Sequence, residues 1–326
     1  MKTFTSHQTA LEYWRLHFPL DSELGSTVSA SLAEECASRK PDVLDAVQET
    51  FRIPEKPVDV LVFDSEVRRP SDQVACHTWR TSIPDGAFYR VGSMYVSSPE
   101  FVFLQMAPSL TMPQLIALGC ELCGTYTLLP AAIRHPSALD DHPRRIAPLT
   151  NTGKLADFIA QADKARGLVK ARRALKYILD NSRSPMETMT YLLLSLPPRL
   201  GGYGLPQPVL NQTIELDAEA RTIAQAGHAE GDLCWRDCKL DIEYNGEVHA
   251  DPFRMKRDAG RRAGIEHMGW RVITITGPQV FDIAAFEVIA TEAAARMRKR
   301  LRAETLGMTS ARCALHSDLE AWMFAV

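Results

Sequence analysis

Acidic and amide side chains recur at short, regular intervals between residues 231 and 249: Asp232, Asp241, Glu243 and Asn245, followed by Gly246 and His249. Side chains on a strand alternate faces, so Asp241, Glu243 and Asn245 share one side while Leu240, Ile242 and Tyr244 share the other. The apolar side is expected on the core and the polar side in a cleft. Asp232 belongs to the preceding strand, separated only by a short turn near Arg236-Asp237. Such a hairpin can bring Asp232 and Glu243 within reach of one ion. Carboxylate oxygens are hard ligands and favour Mg²⁺, Mn²⁺ or Ca²⁺ over zinc. Glu243 and Asn245 can hold a water for in-line attack on phosphorus, and a metal would lower that water's pKa. Taken alone, two acids on a solvated sheet face also fit an ordinary polar surface, and Asn-Gly an ordinary turn.

The flanking segments favour the chemical reading. A basic stretch carrying Arg254, Lys256, Arg257, Arg261 and Arg262 follows the acids directly, and cations there can steady a phosphate backbone. Two further basic clusters occupy 164–176 and 296–302, although any one of the three also fits a solvated helix face. The elements expected around the acids are a helix over 185–196, a strand over 209–216 and the two acidic strands. A helix over 252–268, a strand over 270–276 and a long basic helix over 282–303 follow. Ile283, Phe286, Ile289 and Ala290 give that last helix a partial apolar stripe. The fold class is α/β, of mixed α+β character.

The segment from about 184 to 276 resembles the endonuclease domain of the very-short-patch-repair type, within the PD-(D/E)XK superfamily. The likeness rests on Ser184-Pro185-Met186-Glu187, Asp232, Glu243-Tyr244-Asn245-Gly246-Glu247-Val248-His249, Arg254/Arg257-Asp258-Arg261 and Gly269-Trp270-Arg271-Val272. Their order and spacing agree with the family over roughly a third of the chain. The resemblance implies a restriction-endonuclease-like αβββαβ core and hydrolysis of DNA phosphodiester bonds with Mg²⁺ or Mn²⁺. It makes Asp232 and Glu243 the metal carboxylates, and Glu187 a helix acid that approaches the metal through water. His249 becomes a general acid/base or a phosphate contact. For Glu187, complementing the helix dipole behind Ser184-Pro185 is the competing role; for His249 it is a plain exposed loop position. The sequence departs from the family at Asn245, where the family often has Asp and the wider superfamily Lys. Asn is neutral and cannot serve as a base, so the alternative is a DNA-binding or antitoxin-like regulator that does not cut.

The chain has 326 residues and a formal charge of −3, with 45% hydrophobic and 24% charged residues, the profile of a globular protein. The first 150 residues hold 13 basic and 18 acidic side chains, the remainder 24 and 22, so positive charge gathers with the acidic motif. No apolar run reaches membrane-spanning length and no signal-peptide core opens the chain, which predicts a cytoplasmic protein with no membrane association. An odd cysteine count of 7 argues against a disulfide framework. Cys120-x-x-Cys123 and Cys234-x-x-x-Cys238 lack the histidines that would complete a zinc set, so buried thiols are expected.

The first half reads as helices over 10–17, 29–37 and 43–51. Strands over 58–63, 74–79, 88–91 and 94–96 follow, then helices over 98–106 and 113–128. A linker or exposed loop is expected over 129–151, then helices over 154–165 and 169–181. The first half is similar to the middle domain of the AbiEi abortive-infection antitoxin family, through the strand Val58 to Val62, the strand holding His77 and the Ser-Pro helix start near Pro99. That likeness implies a cognate toxin or other protein partner. The expected organisation is an N-terminal helical segment (1–57), the AbiEi-like domain with its linker (58–150) and connecting helices (151–183). The endonuclease-like domain (184–305) and a tail (306–326) complete it, and a homodimer is compatible with this arrangement.

Overall fold

The computed structural model describes residues 3–17, 27–28, 45, 47, 57–66, 68–129, 145, 147–246, 252–302 and 305–324, with the backbone alone at 27–28 and 252–256. It is of mixed α and β composition, and the chain separates near residue 178 into two compact units. The expected helix over 29–37, most of that over 43–51 and most of the 129–151 linker lie outside the described residues.

The first unit is built on a six-stranded mixed sheet. Its strands are β1 (Thr3–Thr5), β2 (Thr27–Val28), β3 (Val58–Val62), β4 (Val74–Thr78), β5 (Phe88–Val91) and β6 (Met94–Ser97), in the order β2-β5-β6-β1-β3-β4. Helix α1 (His7–Leu16) follows β1. The short β1 and β2 escaped the sequence reading because so few residues carry no alternation. β1 nevertheless joins the two halves of the sheet, parallel to β6 and antiparallel to β3. Phe4 on β1 stacks on Tyr95 at 4.8 Å between ring centroids. His77 on β4 meets Asp59 on β3 at 2.6 Å.

Helix α2 (Pro99–Met106) starts where Ser98 accepts the Phe101 amide at 3.2 Å, with proline in its first turn, a favoured start signal. Helix α3 (Met112–Leu122) opens on a reciprocal capping box between Thr111 and Gln114 and ends well short of residue 128. Helices α4 (Thr152–Gln161) and α5 (Leu168–Ala174) pack in this unit; a 3₁₀ turn over Leu175–Tyr177 ends the helix expected to reach 181. Fully buried Glu121 accepts from the Arg15 guanidinium at 2.9 and 2.7 Å, while Arg145 donates to the Glu121 carbonyl at 3.0 Å.

The second unit follows the expected αβββαβ succession, with one extra helix. In order come α6 (Pro185–Ser195), β7 (Val209–Glu215), α7 (Ala218–Ala224), β8 (His228–Trp235), β9 (Leu240–Tyr244), α8 (Pro252–His267) and β10 (Arg271–Ile275). The sheet order is β10-β9-β8-β7; β7, β8 and β9 run antiparallel and β10 pairs parallel with β9. Parallel neighbours need a crossover connection, and α8 supplies it. The residues Ile214, Leu216, Ala220, Ala224, Ile265, Trp270 and Val272 form a core between this sheet and the helices α7 and α8. At Gly264 a β-carbon would stand 2.9 Å from Ala224 Cβ and 3.0 Å from the Ala220 carbonyl, so glycine permits the close approach of α7 and α8.

Two helices follow: α9 (Gly277–Phe281) and α10 (Ile283–Arg296). The expected long helix to residue 303 stops at Arg296, because Arg298 takes a left-handed φ of 53°, which an α-helix cannot continue. The basic residues 298–302 therefore extend beyond the helix. The expected tail is instead helix α11 (Leu306–Phe324), held by buried Leu315, Leu319 and Met323 at four-residue spacing, a core-facing helical stripe. Among the described residues, no helix is long and apolar enough to cross a membrane.

Candidate active site

Strand β9 lies between β8 and β10, and its first carboxylate is fully buried: Asp241 is 0% exposed, like Leu240 and Ile242. The polar face of β9 does not look into a cleft along its length, contrary to what its spacing predicts, because Asp241 is sealed inside the unit. An interior strand in a sheet covered by helices is buried on both faces. Exposure instead grows along the strand, from buried Asp241 through half-buried Glu243 to exposed Asn245. The Asn245 amide donates to the Ile275 carbonyl at 2.8 Å, which extends the β9–β10 pairing by one bond.

Leu233 pairs with Ile242 across β8 and β9, which brings Asp232 to the level of Glu243. The Asp232 carboxylate accepts the Tyr244 amide at 2.9 Å, in the place a strand carbonyl would otherwise take. Burial first, and then the negative charges of Glu187, Asp241 and Glu243, push its pKa well above the usual aspartate range, against the Tyr244 hydrogen bond. Asp241 is pushed up to about 7, by burial first and then by Glu243. Burial likewise raises Glu243, with Arg262 and Arg261 opposing. The four acids Glu187, Asp232, Asp241 and Glu243, drawn from one helix and two strands, thus share one electrostatic neighbourhood.

Room for the deepest of them comes from Gly231. A β-carbon there would stand 2.5 Å from Cys234 Sγ and 2.6 Å from the Asp241 carboxyl. The Cys234 thiol approaches Asp241 Oδ1 at 3.5 Å, and burial followed by the Asp241 charge pushes that thiol's pKa upward. Asp241 Oδ2 is buried with no hydrogen-bond partner among the described residues.

Glu187 sits in the first turn of α6, where its amide donates to the Ser184 hydroxyl at 3.1 Å. Its carboxylate accepts the Arg183 amide at 2.9 Å and the Asn211 side-chain amide at 2.6 Å. The helix-start role and the position beside Asp232 are therefore both realised in one residue. Arg183 forms a two-point ion pair with Glu230 on β8, at 2.5 and 2.6 Å. That pairing raises the arginine's pKa and lowers the glutamate's.

From α8, Arg262 stands 3.6 Å from Glu243, and Arg261 donates to the Glu230 carbonyl at 2.8 Å and pairs with Asp258 at 3.5 Å. Arg257 is exposed. Arg254 and Lys256 lie on the α8 backbone with side chains outside the described residues, and His249 lies outside them altogether. The sequence places Asp241 on the polar face without giving it a role, and it does not point to Asn211 or Gly231. The period-2 alternation with Glu243 already marks Asp241 as a companion acid; its burial follows from the parallel β9–β10 pairing, which a local pattern does not reveal.

The carboxylates around Asp232 are coupled by charge without being drawn into a closed ligand set. Among the described residues, the three potential metal ligands whose atoms all come within 4.8 Å of one another are Asp217, Glu219 and His267, all exposed. Other contacts account for that group: Asp217 caps α7 through the Ala220 amide at 2.8 Å, and Glu219 pairs with His267 at 3.5 Å.

Two uncharacterized proteins of Mycobacterium tuberculosis, from strains CDC 1551 / Oshkosh and ATCC 25618 / H37Rv, are each similar to this chain, with 29% identity over 127 residues. The match covers 37% of this chain and 41% of each relative, so the chain spans about two fifths of the relatives' length. No protein-family model matches the chain, and no solved structure matches it.

Proposed function

We propose that the second unit is a metal-dependent endonuclease that hydrolyses DNA phosphodiester bonds. The observation that carries this reading is the set of four mutually repelling carboxylates, Glu187, Asp232, Asp241 and Glu243, facing arginines 261 and 262 of α8. Holding like charges together in a half-desolvated site is costly unless a cation or a proton joins them. The donor set fits a hard divalent cation such as Mg²⁺ or Mn²⁺. All the donors are carboxylate oxygens, and Asp241 Oδ2 is buried without a hydrogen-bond partner among the described residues. Asp232 and Glu243 would hold the ion, with Asp241 and Glu187 behind them. Bound there, such an ion supplies Lewis acidity and lowers the pKa of a water.

The protein's own groups do the rest. Arg262, 3.6 Å from Glu243, would offer its positive charge to a substrate phosphate. Arg261, anchored on the Glu230 carbonyl, holds a second positive charge beside it. The Tyr244 amide keeps Asp232 oriented, and the Arg183 amide and Asn211 keep Glu187 oriented.

A plasmid-nicking assay in Mg²⁺ or Mn²⁺ tests the assignment. Wild type is expected to nick, and Glu243→Gln to lose at least about a hundredfold in rate, the scale of losing a stabilising group in the transition state. Equal rates in the two proteins would reject the site.

A second reading is favoured by Asn245. The residue is exposed, neutral and tied by its backbone to Ile275, so it offers neither base nor cation where the nucleases this segment resembles often have Asp or Lys. The unit would then bind DNA without cutting, in an antitoxin-like regulator whose first half meets a protein partner. Nicking by Asn245→Asp that wild type lacks would select this reading.

A further inference from the structure

We propose that a strongly basic groove of this unit binds the phosphodiester backbone of a nucleic acid beside the acidic centre. The inference rests on the phosphodiester-handling reading above and adds to it the path of the substrate.

The groove encloses a cavity of about 870 Å³ where the β8–β9 turn meets the end of α10. Five cations line it, Arg236, Lys239, Arg296, Arg298 and Lys299, against one acid, Asp237. None of the five is in an ion pair among the described residues.

Backbone carbonyls hold three of them in place. Arg296 donates to the carbonyls of Cys238 at 2.8 Å and Gly269 at 2.8 Å. Lys239 donates to the Met268 carbonyl at 2.9 Å, and Arg236 approaches the Thr213 carbonyl at 3.3 Å. Neutral carbonyls orient these side chains and leave their charge uncompensated. Lys239 and Arg298 both adopt left-handed backbone, with φ of 48° and 53°, a conformation uncommon outside glycine, asparagine and aspartate. One wall is the ring of Trp235, fixed through its indole N–H to the Pro206 carbonyl at 2.8 Å.

Five unpaired cations exceed what one phosphate neutralises, and they point to a repeating anion. Lys239 precedes β9 and Glu243 stands four residues further along it, about 13 Å at the rise of a strand. That distance is roughly four base-pair steps of duplex. A strand held in the groove therefore has length enough to reach the acids. An acidic protein surface meets the same charge but needs no such spacing.

Fluorescence anisotropy on the full-length protein tests this in EDTA, with labelled double- and single-stranded DNA oligonucleotides over a range of salt. Each phosphate contact contributes about 0.9 to the salt slope on duplex and about 0.7 on a single strand. Arg298→Gln/Lys299→Gln is expected to lower the magnitude of the duplex slope by about 1.8. Both residues are exposed, and Arg236→Gln/Lys239→Gln serves as an independent second pair. Comparison of the two slopes tells which form of DNA the groove takes. Unchanged slopes in both pairs, or a wild type that binds neither oligonucleotide, overturn the proposal. Its fate is separable from that of the acidic centre. Reduced slopes in a protein that does not nick keep the groove and reject the nuclease; intact slopes in variants of a nicking enzyme do the reverse.

Discussion

Replacing Asp241 by Asn should remove the Asp241 share of a pH-dependent stability to which the raised Asp232 and Glu243 also contribute. In the folded protein this carboxyl keeps its proton up to about pH 7, whereas the ordinary aspartate value of 3.8 applies to the unfolded chain. Between those limits the folded state binds more protons than the unfolded state, so stability falls as pH rises through the window and stays low above it. The gap of about three pKa units corresponds to roughly 4 kcal/mol at about 1.4 kcal/mol each, taken as a ceiling. About two of those units lie above pH 5, so about 3 kcal/mol of it should disappear between pH 5 and pH 8. Urea unfolding in EDTA at these two pH values gives the measurement. At about 1–3 kcal/mol per molar, the change in wild type is a midpoint drop of about 1 M or more. Asp241→Asn is isosteric and uncharged, and its midpoint should move less. Added Mg²⁺ should restore wild type at the higher pH, by about 2.7 kcal/mol at a hundredfold excess over its dissociation constant, and should help the variant less. Parallel behaviour of the two proteins across pH would refute the claim that burial holds the proton on Asp241.

Gly231→Ala drives a β-carbon against Cys234 and the Asp241 carboxyl; a loss of about 1–3 kcal/mol in denaturant unfolding is expected, together with lost nicking. His316 is buried with neither ring nitrogen hydrogen-bonded among the described residues, and burial, then Arg312, holds its pKa down to about 4. The unfolded chain protonates this histidine near 6.5 while the folded one resists, so stability should fall as pH drops from about 6.5 towards 4, by up to about 3 kcal/mol. His316→Leu should lose that acid sensitivity, as read by thermal unfolding at stepped pH. Glu121→Ala strips the buried Arg15 of its carboxylate acceptor and removes the negative charge 3.9 Å from buried Arg145; this should cost about 3–5 kcal/mol in the first unit, seen as an early calorimetric transition.

The elements of the second unit were readable because their signals are local. Ser184-Pro185 starts α6 and alternation marks β8 and β9, while the crossover length between β9 and β10 requires a helix. Leu315, Leu319 and Met323 carry the same kind of signal, and the helix they hold replaces the tail expected over 306–326. The order β10-β9-β8-β7 depends on long-range pairing, and with it the burial of Asp241, which spacing alone placed in a cleft. Asp232 and Glu243 could be matched by counting along a hairpin. The support of Glu187 by Asn211 could not, since those residues belong to separate elements and meet only in the folded unit. In the first unit, β1 joins strands more than fifty residues away through only Thr3–Thr5, too short a segment to announce itself.

Asn211 takes φ 49° within β7 and sends its amide to the Asn181 carbonyl at 2.8 Å as well as to Glu187. Few residue types tolerate that backbone, and fewer still carry a donor of this length. Glycine would preserve the bend and lose the grip; glutamine would offer the donor and resist the bend. Drift at this position is thereby confined almost to one residue, because a single neutral side chain ties the bend of β7 to both the approach to α6 and its first turn.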